Sequence, residues 1–536
     1  MGWLMSLLLR GWWAAVLCWV CVNAVASEMP RIVEDHGRFS LYVDGEPYFI
    51  LGGQIHNSSA WPAVLPQVWP ALEFIHANTV EAPVYWEQLE PQPGHFDFAN
   101  VDAVLDGARA HKLHVIFLWF GTWKNARCHY VPDWIKTDTV HYPRLVDANG
   151  RRTDSLSPLG TATLEADKHA FAALMHHIKQ VDGGQHTVLM MQVENESGSL
   201  DAVRDFSPFA QKLYESAVPE ELIQKLNLRA GTWAQVFGSS AAEKFQAYSV
   251  SRYIDQVAAA GKHEYALPMY VNVWIRSPDD LEPDPPRSYP SGGATDVVLD
   301  LWKAVTHSID LIGPDMYGSG DNNYRRVMAA YRRPDNPLFV PENNNEAIFA
   351  RYPFTVLGEE GIGFTVWGVD HVNTRTDIEP PTAAAFAELV PFERTFRLLS
   401  SMHRELSRLT FAGKVKTSLE GEDTATHIME FGNWKAIATF GRHESGGKPA
   451  SNQPTGAVLV AQLSADEFLV TGFSTRIEFN LAHPGLNERW QIMKVEEGVY
   501  EDGEWKVRRL LNGDECDFGV DFGEEGRIIH IKLGTY

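Results

Sequence analysis

HTVLMMQVENES, residues 186–197, carries an apolar run from Thr187 to Val193 that leads directly into Glu194, Asn195 and Glu196. A run bounded in this way reads as a buried strand whose last residues emerge into solvent. In a mostly parallel α/β protein, the carboxyl ends of the strands are where chemistry sits. A second stretch, PLFVPENNNE at 337–346, delivers Glu342 in the same manner. Two carboxylates on the ends of different strands of one sheet can converge on one cavity, the arrangement that cleavage of a glycosidic bond uses.

Working outward, apolar runs recur with helical patterns between them. They lie at 48–56, 78–86, 113–123, 186–196, 267–274, 309–317, 337–344 and 361–370. Eight is the number of strands that closes a (β/α)8 TIM barrel, here expected over residues 31–400. Stretches such as VWPALEFIHA at 68–77 and VDAVLDGARAHK at 101–112 place apolar residues at three- and four-residue spacing, as amphipathic helices do. Upstream, RFSLYV at 38–43, the turn Asp44-Gly45 and a return from Tyr48 predict a hairpin that closes the bottom of the barrel. No Gly-rich phosphate loop follows any of these strands, which disfavours a dinucleotide-binding sheet and any such cofactor.

Two connections stand out. Residues 198–263 exceed a usual crossover and hold two largely helical pieces; 277–293 is rich in Pro and Asp and predicts an irregular loop. Both are expected to wall a pocket at the catalytic face, although the first could instead be a solvated helical insertion. From 412 the chain turns to short alternating segments broken by Gly, Asp and Asn, predicting a smaller antiparallel β-sandwich over 410–536. Trp434, Trp490 and Trp505 leave open a binding module in that region.

The N-terminal residues 1–26 read as a signal peptide: Arg10 precedes an apolar run from Trp12 to Val22, and Ala24-Val25-Ala26 supplies small residues at the cleavage-determining positions. A periplasmic or secreted protein without membrane insertion after cleavage is expected. Cys18 and Cys21 leave with the peptide, and Cys128 and Cys516 are expected as free thiols. A formal net charge of -23 argues against nucleic acid or an anionic membrane as partner, whereas a neutral sugar polymer is not repelled.

Strand ends nominate the rest of the site. Tyr85, Trp274 and Trp367 could form an apolar platform under a sugar ring, with core packing as the alternative for each. His56 could hydrogen-bond substrate. No metal is expected, because His56 has no partners at ligand spacing and the adjacent His176-His177 cannot face one ion from a helix. Glu194 and Glu346 stay open as rivals to Glu196 and Glu342.

Gly52-Gly53-Gln54-Ile55-His56, Asn78 to Trp86, Glu90-Pro91, Gly94-His95-Phe96-Asp97-Phe98, Gln192 to Glu196 and Glu342 occur in the order found in glycoside hydrolase family 35, and the chain resembles a beta-galactosidase of that family's bacterial branch with a β-rich C-terminal domain. The resemblance covers residues 31 to about 410. It implies Glu196 as acid/base, Glu342 as nucleophile, Asn195 on the sugar's 2-hydroxyl and Tyr317 against the nucleophile. It implies retaining removal of terminal β-linked galactose from an oligosaccharide or polysaccharide side chain. Gly121-Thr122-Trp123-Lys124-Asn125-Ala126 replaces the family's Gly-Pro-Tyr…Cys-Ala-Glu, so Asn125 and Lys124 furnish the sugar subsite differently. A retaining β-glycosidase for arabinose or glucose, or a non-catalytic carbohydrate-binding barrel, stays open.

Overall fold

The computed structural model describes residues 28–280, 282–370, 383–421, 426–440, 454–501 and 503–536. The segment expected as a signal peptide lies outside them. Among the described residues, no helix is long and apolar enough to cross a membrane.

The chain opens with an antiparallel sheet of β1 (Arg31–Asp35), β2 (Arg38–Val43) and β3 (Glu46–Tyr48). The 38–48 hairpin is as expected, with β1 added along its edge. Parallel strands β4 (Ile50–Gln54), β5 (Thr79–Tyr85) and β6 (His114–Phe120) follow. After a small hairpin of β7 (Arg144–Val146) and β8 (Arg152–Leu156) come β9 (Val188–Val193), β10 (Met269–Trp274) and β11 (Leu311–Met316). The seventh run is split into β12 (Phe339–Val340) and β13 (Glu342–Asn343), and β14 (Gly363–Trp367) is the eighth. Neighbours are β12-β14-β4-β5-β6-β9-β10-β11-β13, so the ring closes through the split strand. Its first half pairs with β14 and its second with β11. Pro341 stands at the break, where it has no N–H to give a ladder. All eight runs therefore join one parallel barrel flanked by helices.

Barrel strands are covered on both faces, which is why they read as continuous apolar runs rather than alternating ones. Ile50, Ile116, Leu118, Leu189, Tyr270, Leu311 and Phe339 fill the interior, and Leu41, Val43 and Tyr48 from the hairpin seal its lower end. Gly52 is dictated by the fit between strands, since a Cβ there would lie 2.3 Å from Thr365 Oγ1 on β14. Gly52→Ala is expected to destabilise the protein by about 1–3 kcal/mol through overpacking, measured as a lower midpoint in urea. An unchanged midpoint would show that Thr365 can move.

The 198–263 connection contains helices Pro208–Glu215, Glu220–Lys225, Trp233–Phe237 and Ala241–Glu264. The last belongs to the barrel's outer ring: a Cβ on its Gly261 would lie 2.3 Å from Phe171 of helix Thr161–Asp182.

Helices Val390–Ser400 and His403–Phe411 lead to the β-rich C-terminal region. Its strands are β15 (Val415–Leu419), β16 (Thr426–Phe431), β17 (Trp434–Phe440), β18 (Ala457–Ser464), β19 (Glu467–Phe473), β20 (Thr475–Leu481), β21 (Trp490–Glu501), β22 (Glu504–Leu511), β23 (Val520–Phe522) and β24 (Arg527–Thr535). They form a six-stranded sheet, β15-β18-β19-β24-β21-β22, and a four-stranded one, β16-β17-β20-β23. Val458, Val460, Phe468 and Val470 face the four-stranded sheet. Leu459, Ala461 and Leu469, one position along, join the core of the barrel and its helices. Strands β18 and β19 of the six-stranded sheet are thus buried on both faces. Trp434 is in the sandwich core with Trp490 edge-on against it, and Trp505 stacks on His530, so packing takes up the three tryptophans. Cys128 and Cys516 are buried and unbridged.

Candidate active site

Strand β9 ends at Val193, and the chain then turns sharply, with Glu194 at φ 64° and Glu196 at φ 41°. Non-glycine residues rarely adopt this left-handed conformation, and it clusters where a side chain must be re-aimed. Strand alternation stops here, so Glu194 and Glu196 do not share a face as a continued strand would make them. Glu194 turns inward, accepts the Trp123 N–H at 2.6 Å and meets Asp167. Asp167 itself accepts from Trp119 Nε1, Thr122 Oγ1 and the Tyr253 hydroxyl. Burial, then the Asp167 charge, pushes the Glu194 carboxyl well up, as expected for a pair that shares a proton.

Glu196 turns the other way, into a cleft of about 610 Å³ at the carboxyl ends of the strands. Glu342, on β13, and Asp315, on β11, reach the same cleft. Asp315 and Glu342 are direct partners in the β11–β13 register. Carboxylate oxygens of Glu196, Asp315 and Glu342 all lie within 4.8 Å of one another. Glu342 accepts the Tyr317 hydroxyl on one oxygen and Gln54 Nε2 at 3.0 Å on the other. Glu196 accepts Asn125 Nδ2 at 2.8 Å. Asn272 joins two of the acids, since its Oδ1 takes the Glu196 N–H at 2.9 Å and its Nδ2 donates to Asp315 at 2.8 Å.

These surroundings separate the acids electrically. Burial, with the Glu342 charge second, pushes Glu196 up to about 7, against a counter-pull from Lys124. Asp315 is driven well up by burial, then by Glu342 and Glu196. Tyr317 is raised by burial and by the Glu342 charge, so it stays a hydroxyl donor. The cluster therefore favours the protonated form of Glu196, beside Glu342, on which two donors converge. Three carboxylates at this spacing could also ligate a cation, but donors already occupy both Glu342 oxygens and one of Glu196, which suits an acid pair better.

The chain from Lys124 to Arg127 is a tight hairpin turn. Asn125 and Ala126 sit at φ 52° and 55°, and Lys124 and Arg127 exchange backbone hydrogen bonds. Two consecutive positive φ values favour Asn at the first, and that geometry delivers Asn125 to Glu196. The Ala126 N–H donates to the Glu196 carbonyl at 2.9 Å, tying the two turns together. Lys124 is buried with its ammonium 5.1 Å from the Phe120 ring centroid.

The structure thus brings Glu196, Glu342, Asn125, Tyr317 and Trp274 around one cleft. Trp274 and Tyr317 are partly exposed, at 37% and 44%. Asn195 is 1% exposed, and both atoms of its amide lack a partner. Tyr85 is taken up by the barrel interior, between Phe120 and Tyr130, rather than joining this lining. His56 pairs through Nδ1 with Asp370 and packs against Trp367 at 4.7 Å. Glu346 is exposed, away from the acids. Ser277, Pro278, Asp279 and Ser288 of the 277–293 loop line the cleft, but no described residue of 198–263 does. That connection braces the loop from behind, through Ser199 to Ser291 and Glu243 to Tyr289.

Asp315 and Gln54 were not singled out from the sequence. A signal for Asp315 was there: in GPDMY it stands two residues before the strand-end Tyr317, on the same face.

Comparison with known proteins matches residues 40–269 to glycosyl hydrolases family 35 and residues 392–523 to a domain of unknown function, DUF5597. The first match includes Glu196 and stops before Asp315, Tyr317 and Glu342. The chain is 32% identical over 160 residues to a beta-galactosidase of Xanthomonas manihotis, 29% of this chain and 25% of that one. It is 28% identical over 175 residues to a probable beta-galactosidase B of Sclerotinia sclerotiorum, 31% of this chain and 16% of that one. The alignments thus span a quarter or less of these relatives' lengths. Among solved structures, the beta-galactosidase from Bacillus circulans sp. alkalophilus matches with 12% identity and TM-score 0.48, covering 67% of this chain and 57% of that one. That from the psychrophilic Marinomonas ef1 matches with 14% identity and TM-score 0.46, covering 67% and 61%. The match to glycosyl hydrolases family 35 covers less than half of the chain.

Proposed function

We propose that this protein is a retaining, exo-acting beta-galactosidase that removes terminal β-linked galactose from oligosaccharides or plant hemicellulose side chains such as those of xyloglucan. The observation that carries this reading is the proximity of Glu196 and Glu342, within 4.8 Å between oxygens. Retaining pairs stand about 5–5.5 Å apart, whereas inverting pairs need about 6.5–9.5 Å to admit a water. The partial match to glycosyl hydrolases family 35 and the names of the relatives favour galactose as the sugar.

In the first step the Glu342 carboxylate attacks the anomeric carbon. The bond to the leaving oxygen breaks as Glu196 delivers its proton there, giving a galactosyl-enzyme. Glu196, now ionised, takes a proton from water, whose oxygen bonds to the anomeric carbon and displaces Glu342. Tyr317 and Gln54 orient Glu342 by donating to its two oxygens. Asp315, held neutral, is a hydrogen-bond donor for Glu196 in its ionised half of the cycle. The unpartnered Asn195 amide is placed to hydrogen-bond the sugar's 2-hydroxyl, a contact that strengthens in the transition state. Trp274 offers an apolar face to the ligand. The composition of residues 1–26 supports action outside the cytoplasm, in the periplasm or secreted.

The acid must carry its proton for the first step. Its pKa is raised, so activity is present below that value and lost as pH rises through it. The expected kcat/KM profile falls above pH about 7, near tenfold per pH unit, on a β-galactoside with a poor leaving group. Glu196→Gln should leave a small residual rate without that alkaline limb. A wild-type limb unchanged in the variant would remove Glu196 from the role. For the sugar, a panel of aryl β-galactoside, β-glucoside and β-arabinoside substrates decides; preference for either of the last two would overturn the galactose reading.

A further inference from the structure

We infer that the groove between the barrel and the β-rich C-terminal region binds the sugar units on the leaving-group side of the scissile bond; this rests on the hydrolase reading above. The groove encloses about 940 Å³, near the top of the range of about 300–1,000 Å³ in which whole ligands are held. It adjoins the acid-bearing cleft, because Ser319 and Asn323 line both. One wall is the segment after β11, from Ser319 to Asn323. The other comes from β15 and β16, including Glu420 and Ile428, within the region matched to a domain of unknown function.

The two walls are fixed to each other by one side chain. Arg351, 5% exposed, donates through Nη1 to the Glu420 carbonyl at 2.6 Å and through Nη2 to Asp321 at 2.7 Å. Its Nε is buried without a partner. The groove is therefore built before any ligand arrives, which limits the ordering cost of binding.

Its chemistry suits a neutral, hydroxyl-rich chain. Charged groups on the lining are largely answered within the protein: Asp321 by Arg351, Arg325 by Glu359, and the Glu420 carboxylate by the Thr455 and Gly456 N–H groups. What remains toward the ligand is the hydroxyl of Ser319, the amide of the exposed Asn322, the exposed Glu346 carboxylate, which can accept from sugar hydroxyls, and Ile428, which is 60% exposed and can meet a pyranose C–H face. A small aryl leaving group would end in the cleft and never reach Asn322 or Ile428, which line the groove alone.

The test compares 4-nitrophenyl β-galactoside with a long galactose-terminated hemicellulose oligosaccharide, using the full chain and the variants Asn322→Trp and Ile428→Arg. Both positions are exposed and line the groove but not the acid-bearing cleft. On the oligosaccharide, kcat/KM is expected to fall about tenfold, mainly through KM, with less than about twofold change on the nitrophenyl substrate. Unchanged kinetics on both substrates would overturn the inference, as would equal losses on both. Wild type inert on both substrates would overturn the hydrolase reading itself; activity without differential loss would overturn the groove alone.

Discussion

Replacing Glu342 with alanine is expected to reduce turnover on every substrate by about 10⁴-fold or more, because no other group can form the bond to the anomeric carbon. The cavity left behind keeps the Tyr317 hydroxyl and Gln54 amide that held the carboxylate, so a small anion has donors waiting for it. Added azide should restore activity on an aryl β-galactoside and yield α-galactosyl azide, since it attacks once from the vacated side. Proton resonance of the product checks the configuration. A β-configured azide, or undiminished turnover without azide, would remove Glu342 from the role. Glu346 is no substitute, because it is exposed and lies outside the cluster.

The second large effect belongs to the partner acid. Glu196→Ala should slow cleavage of natural β-galactosides by about 10²–10⁴-fold, the usual contribution of a general acid. Formation of the covalent intermediate from a dinitrophenyl galactoside should be much less impaired, because that leaving group departs without a proton. Azide should now capture the galactosyl-enzyme and give the β-azide, the opposite anomer to that from Glu342→Ala. In wild type, the first sugar released should be β-galactose, seen before mutarotation; α-galactose appearing first would sink the retaining assignment.

The sequence made the barrel legible because each of its strands is covered on both faces and leaves a short apolar run, as at 186–193 and 309–316. The C-terminal strands were legible for the complementary reason: alternation in TRIEFNL, 475–481, marks a strand with one wet face. The acids showed because each follows such a run directly. What stayed hidden depends on turns and on neighbours in the sheet. The left-handed residues Glu194 and Glu196 break the two-residue period, and no pattern says that Glu194 turns to Asp167 while Glu196 turns to the cleft. Asp315 becomes part of the site through its register against Glu342, which is non-local information. Asn125 reads as loop in sequence and becomes a donor to Glu196 only once the hairpin turn folds. The 198–263 connection looked like a pocket wall by its length, whereas its longest helix completes the barrel's outer ring.

The six-stranded sheet bears on how this chain can be engineered or shuffled. With Val458 and Val460 turned to the sandwich and Leu459 and Ala461 turned to the barrel, its strand β18, next to the edge strand β15, is shared property of two cores. Ending the chain near residue 410 would leave the barrel's helices with an uncovered apolar surface around Phe354, which meets Phe473 edge-on at 5.5 Å. The β-rich region is therefore not cargo that can be clipped off or grafted elsewhere; the two regions are matched halves, and recombination between relatives would succeed only where the sheet and the helices beneath it travel together.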